Sequence, residues 1–144
     1  MTTREHTSLG VVDRGSLPLG QTPGTVFSCF MAAARQWPDQ PAIIDGQVQL
    51  SYLQLANQAS CVASVVTSTQ FDPSAPVALL LDSGPAMIAA MLGALQANRF
   101  YVPLDPGHPA ARLAAILEDT TARILLTDVA HLDLAHTLQQ SLGS

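Results

Sequence analysis

The chain has 144 residues, enough for one domain with its own core. Its charged fraction, 12%, is about half the usual ~25%, so its surface is either Ser/Thr/Gln/Ala-rich or partly meant to be covered by more protein. The net charge is −5, all six basic residues are scattered arginines and lysine is absent; this excludes a basic stripe for nucleic acid and any reaction here that needs a lysine ammonium or Schiff base.

Residues 1–23 are rich in Thr, Ser, Gly and Pro, show no periodicity and read as a loose leader. They lack the apolar core of a signal peptide, and no apolar run reaches the ~20 residues of a membrane span. Thr22 and Pro23 are the expected helix start, with Val26, Phe27, Phe30, Met31 and Ala34 on one face. Trp37-Pro38 ends that helix, because the residue before proline is pushed out of the α region.

Asp45-Gly46 between Ala42-Ile43-Ile44 and Val48-Gln49-Leu50-Ser51 predicts a hairpin over 42–51, with both residues of the pair central in the turn. Ser51 caps a second helix whose apolar stripe is Tyr52, Leu55, Ala59, Val62 and Val66. From Pro76 the pattern changes. Val77-Ala78-Leu79-Leu80-Leu81 has the unbroken apolar character of a strand buried on both faces.

Ser83-Gly84-Pro85 opens a helix to about Ala97, apolar over a wide arc through Met87, Ile88, Met91, Leu92 and Leu95. Asn98 supplies the left-handed residue beyond its end. Phe100-Tyr101-Val102 is a second strand closed by Pro103 and Pro106, and His108-Pro109 starts a helix carrying Leu113, Ile116 and Leu117. Residues 123–127 form a third strand, and a last helix spans about 130–140 with Leu132, Leu134 and Leu138. The predicted fold is α/β: a parallel sheet with β-α-β-α-β crossovers, preceded by a helix, a small hairpin and a second helix.

The residues that could carry chemistry converge on no site. Asp82-Ser83-Gly84-Pro85 has one Gly, no Lys and a Pro without a donor, so it matches neither phosphate-loop pattern and reads as a helix start. His6, His108, His131 and His136 have no zinc-ligand spacing and read as solvated or capping residues. Glu118-Asp119 reads as a solvated helix end, and Asp105 as a turn former in Pro103-Leu104-Asp105-Pro106. Cys29 and Cys61 form neither a disulfide framework nor a metal set and are expected as buried apolar thiols in a reduced, cytoplasmic protein.

Two segments carry a resemblance. Leu50-Ser51-Tyr52-Leu53-Gln54-Leu55 is similar to L-[TS]-Y-x-E-L, and Leu95-Gln96-Ala97-Asn98-Arg99-Phe100-Tyr101-Val102-Pro103-Leu104-Asp105 to L-K-A-G-x-A-Y-V-P-L-D. These are the first two core motifs of nonribosomal-peptide adenylation domains, in the right order. The flanks Trp37-Pro38-Asp39-Gln40-Pro41-Ala42, Pro109-Ala110-Ala111-Arg112-Leu113 and Ile124-Leu125-Leu126-Thr127-Asp128 also fit, so the likeness runs from about 24 to 128. The departures are Gln54 for Glu, Gln96 for Lys and Asn98 for Gly; Asn tolerates the left-handed backbone that Gly supplies.

The resemblance implies an N-terminal portion of an adenylate-forming domain, incomplete over 24–144, and part of that enzyme's large N-terminal subdomain. The family activates a carboxylate with ATP, and Mg is implied beside it, giving an acyl-adenylate and pyrophosphate. Its phosphate loop, amino-acid pocket, adenine segment and lid lysine come later than residue 144. No catalytic, cofactor-binding or metal-binding residue is therefore carried over, and Tyr52 and Tyr101 are expected to be packing residues. The expected partner is the remaining part of the adenylation domain or a peptide-synthetase assembly, with no nucleic acid and no membrane. The alternative is a noncatalytic interaction module derived from such a domain.

Overall fold

The computed structural model describes residues 24–142. The first helix, α1, is Val26–Gln36; Thr25 caps it by accepting from the Ser28 N–H through its side-chain oxygen. The start expected at Thr22-Pro23 lies outside the described residues. The helix stops at Trp37, as the following proline requires.

Strands β1 (Pro41–Asp45) and β2 (Val48–Ser51) form the antiparallel hairpin, with Asp45 opposite Val48. The turn centre is thus Gly46-Gln47 rather than Asp45-Gly46. Only Gly46 has positive φ, 56°, the sign pattern of the tight turn that needs glycine at its first central position. Helix α2 (Tyr52–Ser68) follows at once. The Ser51 side chain accepts from the Gln54 N–H, while Gln54 Oε1 accepts from the Ser51 N–H at 2.8 Å. Gln54 therefore completes the capping box as well as Glu would.

The main sheet has three parallel strands in the order β4-β3-β5: β3 is Val77–Leu80, β4 Tyr101–Leu104 and β5 Ile124–Thr127. Every residue of β3 is buried because helices cover both faces. Val77 and Leu79 point toward Val66 of α2 and toward Met87, Ala90 and Ala94 of α3 (Pro85–Gln96). Ala78 and Leu80 point toward Leu113 and Leu117 of α4 (Ala110–Thr120) and Ala135 and Leu138 of α5 (Leu132–Leu142). The alternation of side chains along one strand thus divides the core into two layers. A third cluster, Leu55, Ala59, Ala89 and Leu92, joins α2 to α3 and receives Phe27, Phe30, Ala42 and Ile43 from α1 and the hairpin.

Several expectations need correction. β4 begins at Tyr101 and runs through Pro103, leaving Phe100 outside, 74% exposed. Proline is tolerated because, among the described residues, β4 is an edge strand and need not donate outward. On α3, Ile88 is exposed and Leu95 only half-buried; the buried face is instead Met87, Ala89, Ala90, Leu92, Gly93 and Ala94. Small residues there let α2 approach. Cys29 and Cys61 are exposed, on α1 and α2, not buried. The last helix is preceded by a 3-10 turn, Val129–His131. Asn98 has φ 56°, as expected of the residue that stops α3.

Candidate functional site at the carboxyl edge of the sheet

Open parallel sheets place ligands beyond the carboxyl ends of their strands. The registers Leu80↔Leu104 and Leu80↔Thr127 bring all three strands to an end at one level. The chain then supplies a carboxylate after each strand: Asp82, Asp105 and Asp128. Thr127 Oγ1 donates to the Leu80 carbonyl at 2.9 Å and ties β5 to β3 at this edge. From the hairpin, Asp45 Oδ2 reaches the loop after β3, lying 3.5 Å from where a Gly84 side chain would begin.

A cleft of about 240 Å³ opens between the loops after β3 and β4, lined by Leu81, Asp82, Ser83, Met87, Leu104, Asp105 and Pro106. The turn role expected of Asp105 is observed: its Oδ1 accepts from the Gly107 N–H at 2.8 Å and its carbonyl from the His108 N–H. Pro85 occupies the first turn of α3, and neither Ser83 nor Gly84 makes a side-chain cap. The cleft therefore offers acceptors and a hydroxyl, and its lining holds no cation.

Histidine 131 joins two of the strand ends, which its sequence context did not reveal. Its Nδ1 lies 2.6 Å from Asp128 Oδ1, and its Nε2 lies 3.6 Å from Asp82 Oδ1. Asp128 also accepts from the His131 backbone N–H at 3.1 Å, capping the 3-10 turn. The hydrogen bond from His131 holds the Asp128 carboxyl below its ordinary value, against some desolvation. The readable signal was the Asp128-x-x-His131 spacing at a helix start. Asp82, 46 positions before Asp128, comes near only through the parallel register of β3 and β5. His108 is half-buried beside Asp105, His136 is exposed on α5, and His6 lies outside the described residues.

Arg99 is the other residue that sequence reasoning passed over. It is 6% exposed. Its Nη1 donates to the carbonyls of Asp72 at 2.6 Å and Ala75 at 3.2 Å, and its Nη2 to that of Phe71 at 3.2 Å. The guanidinium fork thereby pins the α2–β3 loop at the amino end of the sheet, away from the cleft. Tyr101 packs against the core beside Val77, and the Tyr52 ring lies 6.1 Å from that of Phe30, so both serve in packing. Among the described residues, no group of three or more His, Cys, Asp or Glu is arranged to hold a metal, and no helix is long and apolar enough to cross a membrane.

The fold and its two motif segments agree with comparison against known proteins. The family described as AMP-binding enzyme matches residues 30–143. This chain belongs to that family. It is 38% identical over 104 residues to surfactin synthase subunit 1 of Bacillus subtilis (strain 168), covering 72% of this chain and 3% of that protein. It is 33% identical over 118 residues to N-(5-amino-5-carboxypentanoyl)-L-cysteinyl-D-valine synthase of Amycolatopsis lactamdurans, covering 81% and 3%. Among solved structures, the nonribosomal peptide synthetase FmoA3 superposes with a TM-score of 0.70 at 31% identity, over 74% of this chain and 12% of that one. The Klebsiella oxytoca NpsA N-terminal subdomain gives 0.66 at 26% identity, over 72% and 27%.

The chain thus spans about 3% of the length of the curated relatives it matches. The resemblance carried by residues 50–55 and 95–105 holds: this is an AMP-binding chain of the nonribosomal-peptide-synthetase type, with the α/β fold of an N-terminal adenylation subdomain. Gln54, Asn98 and Arg99 show what the motifs do locally. They cap α2, end α3 and pin the loop that leads into β3.

Proposed function

We propose that residues 24–144 are an incomplete, N-terminal scaffold portion of an amino-acid-activating adenylation domain, and that this chain alone does not form an acyl-adenylate. In the complete enzyme the reaction is ATP-dependent activation of a carboxylate, with Mg as the expected companion of ATP. The donor chemistry at the carboxyl edge carries the reading. Asp82 and Asp105 line the cleft, whereas a triphosphate needs placed cations and N–H donors. Arg99 is committed to loop carbonyls at the other end of the sheet. The residues present therefore do not fit ATP phosphates, and no catalytic step is assigned to them.

The expected partner is the rest of the adenylation domain or a synthetase assembly. The edges of the sheet support this. Among the described residues β5 pairs only with β3. An apolar cleft of about 360 Å³ lies beside it, lined by residues that include Leu117, Leu125, Leu138 and Leu142. The opposite edge, β4, is blunted by Pro103, which cannot donate to another strand. Additional sheet would join at β5. A reduced, cytoplasmic setting goes with this reading, consistent with the two exposed thiols.

The test is amino-acid-dependent pyrophosphate exchange, with the purified chain alone and with a co-expressed polypeptide carrying the remainder of such a domain. We expect no exchange from the chain alone, and a soluble complex only with the complementing polypeptide. Robust exchange from the chain alone overturns the reading. A monodisperse monomer that ignores the complementing polypeptide favours a separate interaction module.

A further inference from the structure

We propose that His131 is a protonation-controlled latch between the loop after β3 and the turn after β5. The two ring nitrogens face two carboxylates from distant parts of the chain, Asp128 at 2.6 Å and Asp82 at 3.6 Å. A neutral imidazole carries one N–H, whereas an imidazolium carries two. The shorter contact belongs to Nδ1, so the single proton of the neutral ring resides there, shared with Asp128. Nε2 then turns a lone pair toward the Asp82 carboxylate, and two acceptors repel. Adding a proton at Nε2 converts that repulsion into an ion pair. At 3.6 Å the contact with Asp82 is Coulombic rather than a hydrogen bond.

The surroundings favour a switch over a fixed strut. The His131 side chain is 14% exposed, while Asp82 is 77% exposed and free to swing. Asp128 is held by the backbone N–H of His131 as well as by the ring, so the turn after β5 stays in place in either protonation state. The other charged groups around this edge are accounted for. Asp105, after β4, accepts from the Gly107 N–H; Asp45, from the hairpin, lies beside Gly84; Asp133 and His136, on α5, are exposed. Among the described residues the ion pairs of His131 are those with Asp82 and Asp128. Since Asp82 and Ser83 also line the strand-end cleft, the latch sets how far that loop stands from β5. It does not depend on the adenylation reading.

The test is hydrogen–deuterium exchange by mass spectrometry on the 144-residue chain, with His131→Gln and Asp82→Asn compared at matched pH. Matching the pH cancels the intrinsic pH dependence of exchange. At the acid end of the comparison, about pH 5.5, we expect residues 82–86 to exchange about two- to five-fold faster in His131→Gln than in the natural chain, the range a partly exposed ion pair supports. At about pH 8.5 that difference disappears. Asp82→Asn, at an exposed position that leaves the core intact, reproduces the loss in 82–86 and leaves 128–131 unchanged. Equal exchange in the natural chain and Asp82→Asn at both pH values overturns the latch. So does a difference of the same size at both, which would mark a purely structural role. Should His131→Gln fail to fold, the Asp82→Asn comparison decides alone.

Discussion

Gly93 of α3 lies against Val62 of α2 so closely that a side chain at Gly93 would begin 2.5 Å from Val62 Cβ and 2.7 Å from the Ala59 carbonyl oxygen. One neighbour is a β-carbon and the other is backbone, so neither can rotate aside. Gly93→Ala must push the two helices apart and disturb the layer that also contains Val66, Ala90 and Ala94. We expect a loss of about 1–3 kcal/mol, the usual cost of overpacking a close-packed core. A lower urea midpoint with an unchanged slope is the expected result. An unaltered midpoint would mean that the helices slide apart at no cost.

Leu92 and Leu95 lie on the same helix but have different surroundings. Leu92 is 8% exposed and packs with Leu55, Ala59 and Ala89, whereas Leu95 is half-buried and borders a surface groove. Leu92→Ala should cost about 2–5 kcal/mol, the range for emptying a buried leucine site. Leu95→Ala should cost clearly less. Denaturation of the two variants side by side checks the order, and equal losses would contradict the burial difference.

Arg99 donates to three carbonyl oxygens, and its charge is also felt by the Asp72 carboxylate. Removing it takes the guanidinium away from all three carbonyls, of which that of Asp72 keeps the Ala75 N–H, and loosens the α2–β3 loop. Arg99→Met is expected to destabilise the chain by about 2–3 kcal/mol, as for hydrogen bonds to a charged group. Arg99→Lys should rescue it only in part, because one ammonium cannot reproduce a fork. Thermolysin cleavage near Phe71 should accelerate in both variants, more in the methionine one; cleavage at the natural rate would show that the loop is held by other means.

Asp128 provides a pH test. Its folded carboxyl is held below its ordinary value of 3.8, chiefly by the hydrogen bond from His131. A depressed carboxylate stabilises the fold above its unfolded value, and that stability is lost as pH falls through the folded one. Asp128→Asn should therefore lower stability at neutral pH and flatten the decline below the usual carboxylate range, so that the two proteins converge in acid. Parallel pH–stability curves would argue against this coupling.

Much of this molecule is legible along the chain because its information is local. The Ser51 cap depends on Gln54 three residues on, the stop at Trp37 on the next proline, and the end of α3 on Asn98. The unbroken apolar run at 77–81 foretells a central strand, since only burial on both faces needs it. The two motif segments name the family for the same reason: they are short and contiguous.

What the sequence left open depends on neighbours that are distant in the chain. The exposure of Cys29 and Cys61 depends on which helix face meets the next layer, and α3 is buried along a small-residue stripe because α2 lies close there. Along the chain Arg99 is one of six scattered arginines, and only folding brings the carbonyls of 71, 72 and 75 around it. The meeting of Asp82 with His131 requires β3 and β5 to be neighbours even though β4 lies between them in sequence. Strand order is a property of the packed sheet, because local periodicity states only that a strand exists and which faces it presents, and burial of both helix layers selects the strand beside it.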